Sequence, residues 1–124
     1  MTIRAIKGAT AVPIDSAREI CAATSELLLA MLAQNNIITE QVVSLMLTAT
    51  PDLRSEFPAR GARDAGLGDV PMLCAQEIDV PGALGRCIRV IAHVEVHRGS
   101  PMRHVYLREA RSLRPDISAA PDPT

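Results

Sequence analysis

Arg86-Cys87-Ile88-Arg89-Val90-Ile91-Ala92-His93-Val94-Glu95-Val96 is the most regular stretch of this sequence. Ile88, Val90, Ala92, Val94 and Val96 fall on one side of a two-residue repeat, and Cys87, Arg89, Ile91, His93 and Glu95 on the other. Successive side chains of an extended chain point to opposite faces, so this run reads as a strand with one wholly aliphatic face. Its other face carries an arginine among apolar neighbours. A cation held there needs an acid or an anionic ligand beside it.

Just upstream, the apolar lead-in Val70-Pro71-Met72-Leu73 runs into Cys74-Ala75-Gln76-Glu77-Ile78-Asp79-Val80. A turn on Pro81 and Gly82 then sends the chain back. We expect a strand from Val70 to Ile78, with Pro71 at its start or on an edge. Downstream, Arg98-Gly99-Ser100-Pro101 reads as a turn, and Arg103 to Ala110, with Tyr106, as a fifth strand.

The first half of the chain supplies the remaining elements. Ile3 to Val12 is β-branched and stopped by Pro13, a strand whose Lys7 shares a face with Ile3 and Ala5. Ser16 and Glu19 have capping-box spacing, and Asp15 adds negative charge at the same helix start. Ile20, Cys21, Leu27, Leu28, Met31 and Leu32 keep the helical period up to Asn35, and Cys21 in that stripe reads as inert core. Val42 to Ala49 is apolar enough for a strand buried on both faces. It ends in the turn Thr50-Pro51-Asp52. Pro58 suits the first turn of a short helix with Arg60 and Arg63 on one face, broken by Gly66 and Gly68.

The order β-α-β-α-β-β-β implies an α+β domain over residues 1–114, with a single five-stranded mixed sheet, one long helix and one short one. A Pro-rich tail, 115–124, is expected to be flexible. Two helices cannot cover both faces of five strands, yet the strand patterns leave little polar face for water. Other copies of the chain must bury the remainder, so a closed homo-oligomer is expected.

Composition narrows the function. A chain of 124 residues, 48% hydrophobic and carrying a net charge of −1, suits one soluble domain. No apolar run approaches the roughly 20 residues of a membrane span, and Met1 to Val12 lacks the order of a signal peptide, so a cytoplasmic protein is expected. Scattered cations argue against a nucleic-acid partner. Cys21, Cys74 and Cys87 have no Cys-x-x-Cys spacing, which disfavours zinc and a disulfide scaffold. His93 and His97 would stand about 13 Å apart on a strand, too far to share a metal.

The polar outliers of these apolar elements are Lys7, Arg60, Arg63, Cys74, Glu77, Arg89 and Tyr106. Four cations, one acid and two neutral hydrogen-bonding groups suit a dicarboxylate that also bears a hydroxyl. No histidine–acid pair, Gly-rich phosphate loop or Ser-His-Asp pattern is visible. If the chain is an enzyme, its chemistry should need no base, nucleophile or cofactor.

Six ordered blocks carry a resemblance: Ile6-Lys7-Gly8-Ala9-Thr10, Ala49-Thr50-Pro51-Asp52-Leu53 with Phe57-Pro58-Ala59-Arg60, Cys74 to Val80, Cys87-Ile88-Arg89-Val90, Arg103-His104-Val105-Tyr106-Leu107 and Leu113-Arg114-Pro115-Asp116. Over roughly Ile3 to Asp116 the chain resembles the chorismate mutases of the AroH class. The resemblance implies a homotrimer with a pseudo-α/β-barrel core and an active site in each subunit cleft. It implies the Claisen rearrangement of chorismate to prephenate, on the route to phenylalanine and tyrosine. By the same likeness Arg89 meets the ether oxygen and side-chain carboxylate, and Tyr106 and Lys7 hold that carboxylate. Cys74 and Glu77 bind the ring hydroxyl. Phe57, Ala59, Arg60, Arg63, Met72 and Leu73 close the pocket from a neighbouring subunit, and Leu113 lines it. Position 7 departs from the pattern: the family usually has arginine, and here stands the only lysine, a point charge without the planar fork. Two alternatives stay open beside this one. One is a mutase for isochorismate or 4-amino-4-deoxychorismate; the other is a catalytically weak homologue that binds a metabolite.

Overall fold

The computed structural model describes residues 1–118. In chain order its elements are β1 (Thr2–Ala11), α1 (Ala17–Gln34), β2 (Val42–Ala49), α2 (Pro58–Ala62), β3 (Met72–Gln76), β4 (Cys87–Val96), β5 (Val105–Tyr106) and α3 (Pro115–Ser118). Short 3-10 turns at Thr39–Gln41 and Arg108–Leu113, and one wider turn at Arg63–Leu67, link them. The strands form one mixed sheet in the order β3-β2-β4-β1-β5. β4 pairs antiparallel with both β1 and β2, whereas β3 and β5 add parallel edges.

The alternation in β4 accounts for the layering. Ile88, Val90, Ala92, Val94 and Val96 are all buried, and with Ile6, Leu45 and Leu47 they form the sheet's share of the core. Ile20, Ala23, Leu27, Leu28 and Met31 of α1 are buried against it. Ser16 Oγ accepts the Glu19 N–H at 3.1 Å, so half of the expected capping box is present; the Ser16 N–H bonds Ile14 O instead. The helix stops as expected, with Asn35 as its last half-helical residue and Asn36 at φ 53°.

Four expectations change. Cys21 is half-buried at the groove between α1 and α2, because the apolar stripe is narrower than the sequence suggested. β2 is covered on one face only: Leu45 and Leu47 are buried, but Met46 is 45% exposed. β3 is shorter than Val70 to Ile78 because Pro71 has no N–H to pair; its carbonyl accepts the Leu45 N–H, and ladder pairing begins at Met72. β5 is two residues long rather than eight, since Arg108 takes the left-handed conformation at φ 53° and starts a 3-10 turn. Its guanidinium donates to Ala11 O and Glu26, which ties that turn to β1 and α1. Of the expected tail, residues 115–118 form one helical turn, and 119–124 lie outside the described residues.

The second face of the sheet is largely open. Ile3 is 52% exposed and Leu73 67% exposed there, and only one corner is covered, where Ala110, Leu84 and Leu113 pack on Ala9 and Tyr106.

Gly61 sets the distance between the two helices. A Cβ there would lie 2.7 Å from Cys21 O, which is backbone, and 2.7 Å from Thr24 Cβ. Ser25 Oγ already donates to Gly61 O at 2.7 Å. Gly61→Ala should therefore force α2 off α1 and lower stability by about 1–3 kcal/mol, the range for overpacking. A urea melt reads this as a lower midpoint; an unchanged midpoint contradicts the close approach.

Candidate active site

Cross-strand register assembles the site on the open face. One row across the sheet runs Ala75, Thr48, Arg89, Ala9, Tyr106, from β3 to β5. Glu77, two residues after Ala75, returns to the same side. Its carboxylate accepts Arg89 Nε at 3.2 Å (Oε1) and 3.1 Å (Oε2), and the Thr48 hydroxyl donates to Oε2 at 2.6 Å. Both oxygens are thus met by Nε, and Nη1 and Nη2 stay outside this ion pair. The Arg89 side chain is 34% exposed, against 16% for Glu77. The cation therefore keeps a solvent-facing edge while its acid is held from behind.

Tyr106 is buried at the covered corner, in contact with Ala9 and Ala110. Arg114 bonds Asp116 at 2.9 Å and also reaches the Tyr106 phenol. The Asp116 carboxylate, and to a lesser degree that phenol, hold the Arg114 guanidinium above its ordinary pKa. Lys7 lies in the next row, in register with Ile91, and is exposed on the same face. Its backbone N–H donates to His104 Nδ1 at 3.0 Å. Arg89, Glu77, Tyr106 and Lys7 thus stand on one face of the sheet of a single chain.

Cys74 is not with them. It pairs in register with the buried Leu47, so it points to the helix side, whereas Ala75, paired with Thr48, points to the Arg89 side. Three residues apart on a strand means opposite faces, a reading of Cys74 and Glu77 that the period of two already contained. Cys74 instead lines a groove of about 380 Å³ with Leu53, Arg54, Glu56, Phe57 and Gln76. Phe57 stands 71% exposed at that groove. Ala59 is buried in α2, Arg60 is exposed and paired with Glu56 at 3.0 Å, and Arg63 is exposed one turn on. Met72 packs on the core, and Leu73, paired with Met46, faces the open side. Leu113 covers the Tyr106 corner.

Three further residues belong to the neighbourhood. Thr48 orients Glu77, Cys87 lies beside Arg89, and Arg114 touches Tyr106. Thr48 was legible as a polar residue inside an apolar strand; the other two were not, because contacts of that kind depend on how separate segments meet. Burial pushes the Cys87 thiol up to about 11, with the Arg89 charge opposing the rise. Among the described residues no group of three or more His, Cys, Asp or Glu side chains could hold a metal, and no helix is long and apolar enough to cross a membrane.

Residues 3–117 match the family model of chorismate mutase type I. The chain belongs to that family. It is 44% identical to the chorismate mutase AroH of Bacillus subtilis (strain 168) over 120 residues, 95% of this chain and 94% of that protein. It is 47% identical to the chorismate mutase AroH of Thermus thermophilus, covering 95% and 98% of the two chains. A solved chorismate mutase from Clostridium thermocellum superposes with a TM-score of 0.83 at 41% identity, over 88% of this chain and 98% of that one. Members of the chorismate mutase family are isomerases, and their reaction is the rearrangement of chorismate to prephenate.

The Cys87 environment gives a check on the site's integrity. With its pKa at about 11, only about one thiol in a thousand is ionised at pH 8. A thiol-alkylating reagent applied to the native protein at that pH should leave Cys87 unmodified by mass spectrometry. Rapid modification there would mean that β4 does not bury it.

Proposed function

We propose that this chain converts chorismate to prephenate at a site that two copies complete, within a closed homotrimer. The observation that carries the reading is the single row on an open sheet face: Arg89, oriented by Glu77 and Thr48, between Tyr106 on one side and Lys7 in the neighbouring row.

The reaction is one pericyclic step and needs neither base nor nucleophile. Two demands remain. The enolpyruvyl arm must be held over the ring in the reactive conformer, which positioning of both carboxylates provides. Negative charge then grows on the ether oxygen as its C–O bond breaks. A fixed cation at that oxygen favours the transition state over the ground state, where the charge is smaller. Arg89 takes that role. Glu77 and Thr48 fix its orientation before substrate arrives, so little reorganisation is left for the reaction itself. Tyr106 and Lys7 hold the side-chain carboxylate, and Glu77 accepts the ring hydroxyl.

A second copy supplies the rest. In one chain the Arg89 face is an open surface; Phe57, Ala59, Arg60, Arg63, Met72 and Cys74 lie away from it on or beside α2 and β3, and Leu73 stands at its β3 edge. A neighbour that covers Ile3, Met46 and Leu73 would bring its own Phe57 and Cys74 side to this site. Cys74 then reads the ring from across the interface. The exposed apolar face supports this arrangement. The setting we assign is the cytoplasm, in keeping with three free cysteines.

Loss of chorismate's diene absorbance, with prephenate confirmed by NMR, tests the activity directly; isochorismate and 4-amino-4-deoxychorismate serve as competing substrates. Arg89→Ala should lower kcat by about 10²–10³, or roughly 3–4 kcal/mol, while light scattering still reports a trimer. Near-normal turnover would remove the electrostatic argument. Lys7→Arg should keep or raise kcat/KM, because a planar fork binds a carboxylate at least as well as a point charge. A clear fall would show the pocket adapted to lysine.

A further inference from the structure

β5 is a two-residue parallel edge strand, yet it carries Tyr106. So short a strand has no stability of its own, and its place is set by what ties its flanks. On the C-terminal side the Leu107 N–H donates to Ala9 O at 2.9 Å. On the N-terminal side the tie comes from Asn35, the residue that caps the end of α1. Asn35 Oδ1 accepts the Arg103 N–H at 2.6 Å, and Asn35 Nδ2 donates to Arg103 O at 2.9 Å. One amide thus serves Arg103 as a strand neighbour would, through both its backbone groups. The same Nδ2 donates to Met31 O at 2.8 Å, so two carbonyls face the nitrogen and one N–H faces the oxygen. Only one orientation of the amide satisfies all three.

We propose that Asn35 is a positioning residue for Tyr106, acting through the backbone of Arg103. The ending of α1 does not account for it. Asn36, at φ 53°, supplies the left-handed residue that stops the helix, and Asn35 has an ordinary φ of −111°. Asn35 is only 8% exposed, so its amide is aimed inward at the segment leading to β5. The next residue, His104, adds the bond from Lys7 N–H to its Nδ1, so the tether also bears on the strand that carries Lys7. The inference rests on the reading of Tyr106 as a carboxylate-binding residue.

A double-mutant cycle on the full chain, with chorismate as substrate, tests it. Asn35→Asp keeps the shape and the bond from Arg103 N–H, but sets an oxygen against the carbonyls of Met31 and Arg103. We expect kcat/KM to fall about tenfold in the native background and by less than about twofold in a Tyr106→Phe background, the coupling expected of residues that act through one another. Equal falls in the two backgrounds, or no fall in the native one, overturn the proposal, since a general structural defect would act alike in both. If Tyr106→Phe alone leaves kcat/KM unchanged, the role given to Tyr106 fails first and the proposal with it. Circular dichroism melts identify folded variants. Should Asn35→Asp not fold, Asn35→Ser, too short to reach Arg103, takes its place in the cycle.

Discussion

β4 runs through the middle of the sheet with its aliphatic side under α1 and its Arg89 side uncovered. That asymmetry follows from the period of two, and the rest of the molecule answers to it. α1 and α2 lie together and meet only at the distance Gly61 allows. Polar and charged groups gather on the opposite face because only there can they stay solvated in one chain. A sheet covered on one side presents Ile3, Met46 and Leu73 to water. The candidate site and these exposed apolar side chains therefore occupy the same surface.

The Arg89–Glu77 pair is a weak source of stability. An ion pair with one partner about a third exposed contributes about 0–1 kcal/mol. Its value is directional. Nε is engaged by both oxygens of Glu77, Thr48 holds that carboxylate, and the plane of the guanidinium is thereby set. A lysine could not be held so, since its ammonium has no plane to fix. Arginine at position 89 and lysine at position 7 are thus physically distinct: the first presents an oriented edge, the second a point charge.

The three thiols show how little a residue type says without its surroundings. Cys87 is buried next to Arg89 and is held protonated by desolvation. Cys21 lines a groove beside Arg60 and Asp64, and partial burial raises its pKa as well. Cys74 stands at the Phe57 groove on the far face of β3. The family resemblance put Cys74 and Glu77 on one ring hydroxyl, yet within one chain they lie on opposite faces of the sheet.

The local elements were legible because short-range rules govern them. Alternation marked β4, Ser16 and Asn35 bounded α1, Pro58 opened α2, and the apolar excess pointed to an uncovered face. Lys7, Glu77, Arg89 and Tyr106 of the candidate site stood out as polar outliers in apolar runs, and Thr48 could have been added on that ground. Other features had no local signal. The row that joins Arg89 to Tyr106 depends on β1 and β2 flanking β4, and on β5 adding to β1 over two residues. The ending of β5 at Arg108, the reach of Asn35 to Arg103 across 68 positions, and the turn of Cys74 away from Glu77 depend on which segments the core brings into contact. Periodicity tells each strand which face is apolar; only packing and register decide which residues of distant strands stand side by side.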